Sequence, residues 1–208
     1  MKLQIALDEL CLEKAIELCE KLREYIDIIE IGTPFVISEG MAAVRIFAEK
    51  FPEKEILADL KIMDAGEYES ELAYEAGAEY ATVLGVTDIL TVAGCVEAAH
   101  HYKKQCVVDL ICVTNFKEKI EQLEELGIDV IAVHTGADQQ YSGRTPLEDL
   151  KDVKSFVKHA KVAVAGGINS STIEEYVKLQ ADIIVVGSGI CNHENPLEEA
   201  KRIKEKML

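Results

Sequence analysis

Three ionisable residues follow a short apolar run in the sequence. The run Ile56-Leu57-Ala58 leads directly into Asp59, Lys61 and Asp64. Two carboxylates and an ammonium at this spacing can hold a metal ion, orient a polar substrate or assist proton transfer. In parallel α/β proteins, ligands bind and chemistry occurs at the carboxyl ends of the strands. The motif therefore predicts an active site where a buried strand ends.

Other predicted strands also end in charged or polar residues. A satisfied structural carboxylate or a core histidine would explain any one of them alone. Several strands with such residues at the same end are harder to attribute to packing, because a buried unpaired charge is strongly unfavourable. The residues are Asp8 after the first strand, Glu30 on the second, Asp59 and Lys61 on the third, Asp109 on the fifth and His134 on the sixth.

Glu30 and Asp59 are candidate metal ligands. Glu30 lies in Ile28-Ile29-Glu30-Ile31-Gly32. A carboxylate among such apolar neighbours needs a cation beside it. Two carboxylates with room for water and substrate oxygens suit Mg²⁺, and Mn²⁺ is the alternative ion. Lys61 follows Asp59 by two positions and should point to the same face of the strand. A salt-bridge network centred on Lys61 is therefore the competing interpretation.

Two glycine-containing turns are candidate phosphate-binding loops. Gly166 and Gly167 follow the seventh predicted strand, and Gly187 and Ser188 follow the eighth. Barrels commonly bind phosphate at these two loops, where backbone N–H groups can approach an anion closely. Tight βα turns also use glycine for conformational reasons alone, which is the competing interpretation.

His134 is the candidate proton-transfer group. It begins the segment His134-Thr135-Gly136-Ala137, and an unperturbed histidine pKa of about 6.5 suits proton transfer at neutral pH. A structural hydrogen bond to a neighbouring loop is the alternative role. The remaining histidines lie in helix or loop patterns and are predicted to be at the surface: His100, His101, His159 and His193.

Short apolar runs alternate with amphipathic segments along the whole chain. The runs are rich in β-branched residues, as strands buried on both faces are. The predicted strands are Leu3 to Leu7, Ile26 to Ile31, Ile56 to Leu60, Tyr80 to Leu84, Cys106 to Cys112, Val130 to Val133, Val162 to Ala165 and Ile183 to Val186. The predicted helices are Leu12 to Arg23, Gly40 to Lys50, Gly66 to Ala76, Ile89 to Tyr102, Lys117 to Leu126, Pro146 to Val157, Ser171 to Leu179 and Pro196 to Lys206.

This alternation predicts one α/β domain over residues 1–208, a closed (β/α)8 TIM barrel. An open doubly wound sheet is the competing architecture. It would place a glycine-rich turn after the first strand, where the sequence has Asp8-Glu9-Leu10 instead. The absence of that turn favours the barrel.

Charge and composition limit the partners and the compartment. The net charge of −16 would repel nucleic-acid phosphates and anionic lipid, so we expect neither nucleic acid nor a membrane as a partner. The six cysteines form no CxxC pair and most are predicted to lie in the core, which argues against disulfides or a zinc site. No signal sequence follows Met1, and no apolar segment reaches about 18 residues. We therefore expect a soluble cytoplasmic protein.

These motifs together resemble the 3-hexulose-6-phosphate synthase family of the orotidine 5′-monophosphate decarboxylase superfamily. The similarity covers essentially the whole length. The superfamily hosts unrelated reactions, so the shared motif implies the fold and the site but not one activity. The matching segments are the DxKxxD motif of Asp59, Lys61 and Asp64, together with Glu30-Ile31-Gly32-Thr33-Pro34, Val133-His134-Thr135-Gly136 and Ala165-Gly166-Gly167-Ile168.

The resemblance implies a reversible, Mg²⁺-dependent aldol reaction, of the aldehyde-lyase class. D-Ribulose 5-phosphate and formaldehyde would give D-arabino-hex-3-ulose 6-phosphate through an enediolate, a reaction of formaldehyde fixation in the ribulose monophosphate pathway. It further implies that the last aspartate of the motif reaches the neighbouring protomer's site in a homodimer. The implied roles are metal binding for Glu30 and Asp59, C1 deprotonation for His134, substrate hydroxyl binding for Asp8 and Lys61, phosphate binding for Gly166, Gly167, Gly187 and Ser188, and the shared site for Asp64.

The 3-keto-L-gulonate-6-phosphate decarboxylases are the nearest alternative within this resemblance. They share the metal, lysine and histidine positions but carry a functional arginine three residues after the histidine, where this sequence has Ala137. They also carry a glutamate on the fifth strand, where we place Asp109 or a near neighbour, and a Gly-Arg pair in place of Gly187-Ser188. These departures favour the synthase.

Two further functions stay open. The chain could be a phosphosugar-binding protein that has kept the pocket and lost turnover. Alternatively, Lys61 could form a Schiff base in a metal-free aldolase. Asp59 and Asp64 argue against the imine, because flanking carboxylates favour the ammonium form of the lysine.

Overall fold

Eight parallel strands pair in chain order, and the last pairs with the first. The computed structural model describes residues 1–208. Gln4 on the first strand lies opposite Ile28 on the second and Val185 on the eighth, which closes the barrel. The predicted TIM barrel is therefore confirmed, and the open sheet is excluded. The strands are β1 (Lys2–Leu7), β2 (Ile28–Ile31), β3 (Glu55–Ile62), β4 (Tyr80–Leu84), β5 (Gln105–Asp109), β6 (Val130–His134), β7 (Lys161–Ala165) and β8 (Ile183–Val186).

Both faces of the strands are buried, which explains their continuous hydrophobicity. One face packs against the surrounding helices in the main core, to which Leu3, Ile5 and Leu7 of β1 belong. The other face fills the barrel with side chains such as Leu57 and Val107. Small alanine side chains on several strands leave space inside the barrel near its carboxyl end. They are Ala6, Ala132, Ala163 and Ala165.

Eleven helices surround the barrel, three more than the sequence pattern predicts. The three additional helices are short and directly follow β2, β6 and β8, so they lie at the carboxyl end of the barrel. They were missed because segments of this length carry no helical periodicity. The helices are α1 (Leu12–Leu22), α2 (Thr33–Glu39), α3 (Met41–Lys50), α4 (Gly66–Glu75), α5 (Ile89–Tyr102), α6 (Phe116–Glu125), α7 (Ala137–Gln140), α8 (Leu147–Phe156), α9 (Ile173–Lys178), α10 (Ser188–Cys191) and α11 (Pro196–Lys206). None has the length and apolar character needed to cross a bilayer.

Several predicted details were wrong. The fifth strand ends at Asp109 and not at Cys112, because the chain turns there and Cys112 adopts φ +62°, which no strand accommodates. The second strand begins at Ile28, two residues after its predicted start. Only half of the cysteines are in the core: Cys19, Cys95 and Cys106 are buried, Cys191 is half-buried, and Cys11 and Cys112 are exposed.

Candidate active site

A cavity of about 620 Å³ opens at the carboxyl end of the barrel. It is lined by every charged or polar residue that the sequence pattern placed at a strand end, and by both glycine-containing turns. Of the predicted site residues, Asp64 alone lies outside it. The predicted residues that line the cavity are Asp8, Glu30, Asp59, Lys61, Asp109, His134, Gly166, Gly167, Gly187 and Ser188.

Lys61 forms an ion pair with Asp59 inside this cavity. Its Nζ also lies 3.0 Å from Thr33 Oγ1 and 3.9 Å from Asp109 Oδ2. Burial would lower the pKa of Lys61, but the nearby carboxylates, Asp59 above all, together outweigh burial and raise it. Burial likewise opposes ionisation of Asp59, yet Lys61 holds the pKa of that carboxyl below its usual range. Both side chains are therefore charged at neutral pH.

A backbone irregularity aims Lys61 into the cavity. The pairing of β3 with β4 shifts register between Ala58 and Ile62, and Lys61 has φ +48°. Such a left-handed conformation costs a non-glycine residue about 1–2 kcal/mol. Lys61 and Asp59 do face the same space, as predicted, but through a bulge and not through regular strand alternation.

Thr82 holds this irregular segment and was not identified from the sequence. Its buried hydroxyl on β4 accepts from Lys61 N at 2.9 Å and donates to Asp59 Oδ1 at 2.7 Å. Thr33 adds a second hydroxyl, which lies 2.7 Å from Asp59 Oδ2. These contacts depend on lateral strand register, so the only sequence signal was a polar residue in the otherwise apolar run Ala81-Thr82-Val83.

Glu30 lies deeper, with no lysine or arginine within ion-pair distance. Its Oε2 accepts a hydrogen bond from Gln4 Nε2 at 2.6 Å. Burial, followed by repulsion from Asp59, raises the pKa of Glu30 to about 8. A salt-bridge network centred on Lys61 therefore accounts for Asp59 but leaves Glu30 without a counter-charge.

This imbalance of charge fits a divalent cation. The cavity is lined by five carboxyl groups but one lysine: Asp8, Glu9, Glu30, Asp59 and Asp109 against Lys61. The three donors on Asp59 leave room for one more partner on Oδ1, since a carboxylate offers about four lone-pair sites. No three carboxylate, imidazole or thiol groups converge on one point. The donor set therefore suits a hard cation that keeps waters and takes few protein ligands, as Mg²⁺ does.

His134 and Asp109 form a hydrogen-bonded pair across β5 and β6. His134 Nδ1 lies 2.8 Å from Asp109 Oδ2, while Asp109 Oδ1 accepts from Ile111 N at 2.8 Å. An ionised carboxylate only accepts, so this partner assigns the proton to Nδ1 and leaves Nε2 with its lone pair. The pair explains why Asp109 is buried at this strand end, a role that the sequence alone did not reveal.

The two glycine-containing turns present unused backbone donors to the cavity. The amides of Gly166, Gly167, Gly187 and Ser188 donate no hydrogen bond within the chain. Gly166 and Gly167 have φ +126° and +67°, and a Cβ on Gly166 would lie 2.7 Å from Thr135 O. Glycine is therefore required at Gly166 for both conformation and space. Free amides beside a cavity are the chemistry of an anion site.

Asp8 and Asp64 occupy two different surroundings. Asp8 lies at the rim of the cavity, and partial burial together with the nearby Asp59 raises its pKa. Asp64 is exposed outside the cavity, and its Oδ1 accepts a hydrogen bond from the next amide, Ala65 N, at 2.8 Å. Within one chain, Asp64 therefore contacts no other predicted site residue.

The fold is a (β/α)8 barrel, and its cavity lies at the end where enzymes with this fold have their active sites. The orotidine 5′-phosphate decarboxylase / HUMPS family matches residues 1–203, and the chain belongs to this family. It is 47% identical over 205 residues to the 3-hexulose-6-phosphate synthase of Staphylococcus haemolyticus, across 99% of this chain and 98% of that protein.

Solved structures agree with this assignment. The 3-hexulose-6-phosphate synthase from Salmonella typhimurium is similar with a TM-score of 0.98 at 49% identity, over 100% of this chain and 98% of that chain. The 3-keto-L-gulonate-6-phosphate decarboxylase from Vibrio cholerae gives a TM-score of 0.87 at 25% identity, over 99% and 96% of the two chains. The resemblance identified from the sequence is thus confirmed at the level of the family.

We expect the pH dependence of stability to report the buried Glu30 carboxyl. Its pKa is about 8 in the folded protein, against an ordinary value of 4.5. Between these values the folded state holds more protons than the unfolded chain, so Glu30 lowers the free energy of unfolding as pH rises. Glu30→Gln removes this contribution. In urea titrations with EDTA, the variant should therefore gain stability relative to wild type between about pH 5 and 8.

Glu55→Gln is the matched control, since Glu55 begins β3 at the opposite end of the barrel and pairs with Lys2. Its pH dependence should follow that of wild type. A Glu30→Gln profile parallel to wild type over the whole range would show that the Glu30 carboxyl is already ionised in the folded protein.

Proposed function

We propose that the chain catalyses the reversible condensation of D-ribulose 5-phosphate with formaldehyde to D-arabino-hex-3-ulose 6-phosphate. The observation that carries this proposal concerns the positions at which the sequence departs from the decarboxylase pattern. Asp109, Ala137 and Ser188 all line the cavity. The departures therefore lie where a substrate would bind. Full-length relatives that bear the name 3-hexulose-6-phosphate synthase further support the synthase.

Glu30 and Asp59 are the proposed ligands of Mg²⁺ or Mn²⁺. A cation bound there supplies positive charge that stabilises negative charge developing on the substrate oxygens. Lys61 remains an ammonium beside Asp59 and contributes a second positive charge. The raised pKa of Lys61 also disfavours the Schiff-base alternative, since an imine forms only from the neutral amine.

His134 is the proposed general base. Its Nε2 takes the proton from C1 of ribulose 5-phosphate, and the electron pair left behind forms an enediolate with the neighbouring carbonyl. C1 then attacks the carbonyl carbon of formaldehyde, and the proton held by His134 passes to the new hydroxyl oxygen. Asp109 orients the imidazole through Nδ1 and stabilises its protonated form.

The substrate phosphate is assigned to the free amides of Gly166, Gly167, Gly187 and Ser188. Asp8 at the rim is assigned to substrate hydroxyls. This arrangement holds the phosphate on the side of β7 and β8, while the reacting carbon faces the residues of β2, β3, β5 and β6. Positioning of this kind replaces an encounter in solution by a fixed approach of the reacting atoms.

His134→Ala should lower kcat by about 10²–10⁴-fold, because proton transfer by a positioned base contributes that much. The measurement is the rate of hexulose 6-phosphate formation from ribulose 5-phosphate, formaldehyde and Mg²⁺, with 3-keto-L-gulonate 6-phosphate assayed in parallel. His159→Ala is the control, since His159 is exposed on the loop before β7.

Robust decarboxylation without condensation by the wild-type chain would reverse the assignment in favour of the decarboxylase. Phosphosugar binding without turnover of either substrate would instead identify a binding protein.

We also propose that the active unit is a homodimer in which Asp64 completes the partner's site. Asp64 is exposed and lies outside its own cavity. Large apolar side chains are exposed on the adjoining elements, where a partner would cover them. They are Met63 after β3, Tyr68 and Leu72 on α4, and Leu90 on α5.

Complementation tests this shared site. His134→Ala and Asp64→Ala, co-expressed with different tags, should each be inactive alone. Half of the dimers formed by random pairing are mixed, and each carries one intact site, so activity should recover to about a quarter of wild type. Purified mixed dimers without recovered activity would show that Asp64 does not act across an interface.

A further inference from the structure

Glu199 is a buried acid that the proposed chemistry does not use. It lies in the first turn of α11 with 3% of its surface exposed. Its Oε1 accepts a hydrogen bond from Ser170 N at 2.8 Å, and its Oε2 lies 3.8 Å from His193 Nε2. A buried carboxylate is unfavourable unless such partners satisfy it. The Glu199 side chain therefore connects the two segments that contain Ser170 and His193.

The partners belong to the two loops assigned to the substrate phosphate. Ser170 continues the turn that begins with Gly166 and Gly167 after β7. His193 follows α10 in the segment that begins with Gly187 and Ser188 after β8. One side chain from α11 thus contacts both loops.

The two loops also touch each other directly. A Cβ on Gly189 would lie 2.3 Å from Ile168 O, so only glycine permits this approach. A change in the position of either loop would consequently alter the spacing between their free amides.

Further contacts from the same helix fix the geometry around Glu199. Lys206 Nζ donates to Ser170 O at 2.9 Å, so α11 holds both backbone groups of Ser170. Asn195 N donates to His193 Nδ1 at 3.0 Å. Asn195 O also lies 3.1 Å from His193 Nδ1, so the backbone of Asn195 holds the imidazole beside Glu199.

We propose that Glu199 is a positioning residue that sets the spacing of the two phosphate-binding loops and thereby the affinity for the phosphate group. This proposal rests on the proposed function in one respect, namely that the proposed function assigns the substrate phosphate to these loops. The identity of the carbon chemistry plays no part in it.

The test compares variants of Glu199 with a matched control. Glu199→Ala and Glu199→Asp withdraw the acceptor from Ser170 N, whereas Glu199→Gln keeps it. Glu124 performs the same kind of contact at the opposite end of the barrel, where its carboxylate accepts from the amides of Lys158, His159 and Ala160. Glu124→Ala should therefore lower the stability of the protein without affecting its affinity for phosphate.

Amide chemical-shift titration with inorganic phosphate measures binding without turnover. Wild-type protein should show shifts at Gly166, Gly167 and Gly187. We expect Glu199→Ala and Glu199→Asp to weaken phosphate binding by about 10- to 100-fold, as losses of supporting contacts around a site commonly do. Glu199→Gln should rescue most of the affinity, and Glu124→Ala should bind like wild type. In steady-state assays the same loss should raise KM for the phosphosugar with little change in kcat.

Unchanged phosphate affinity in Glu199→Ala and Glu199→Asp would overturn this proposal and leave the proposed function intact. An equal loss in Glu124→Ala would also overturn it, since the effect would then follow stability. Absence of any shift at the glycine amides in wild type would overturn both the loop assignment and the role of Glu199. Phosphate binding that depends on Glu199 in a protein without condensation activity would support the positioning role while the proposed reaction failed.

Discussion

The ion pair between Lys61 and Asp59 is the interaction on which the rest of the site depends. The lysine sits in a strained backbone conformation at a bulge in β3, and the hydroxyl of Thr82 joins its amide to the carboxylate of Asp59. The strain is tolerated because the surrounding barrel fixes both neighbours. As a result, one ammonium stands among several carboxylates, and its position decides which of them are neutralised.

The carboxylates that Lys61 does not neutralise give the cavity its chemical character. Glu30 has only Gln4 as a partner, and burial together with Asp59 raises its pKa to about 8. Asp109 instead forms a hydrogen bond with His134. Lys61 thus neutralises Asp59, and Asp109 orients the imidazole. Glu30 is protonated at neutral pH unless a cation beside it holds it in the ionised form. The opposite side of the cavity presents amides and suits an anion.

Much of the barrel and of the cavity lining could be predicted from the sequence. The strands are buried on both faces, so their hydrophobic runs are continuous, and charged residues at their ends stand out. The cavity brings together Asp8, Glu30, Asp59, Lys61 and His134 because parallel strands in a closed barrel all end at one mouth.

The partners within the site could not be predicted in the same way. Thr82 reaches Asp59, and Gln4 reaches Glu30, only through the lateral register of neighbouring strands, to which a single sequence gives no access. Cys112 was placed in a strand because its apolar neighbours outweigh the turn that actually forms there. The burial of Glu199 could not be predicted either, since nothing in its own segment reveals the loop amide from which it accepts a hydrogen bond.

Calorimetric titration with Mg²⁺ tests most directly whether the Glu30 carboxyl contributes to a cation site. Wild-type protein and Glu55→Gln should bind Mg²⁺ with the same affinity, because Glu55 pairs with Lys2 at the far end of the barrel. Glu30→Gln should weaken binding by about tenfold or more. Equal Mg²⁺ affinity in Glu30→Gln and wild type would contradict the account.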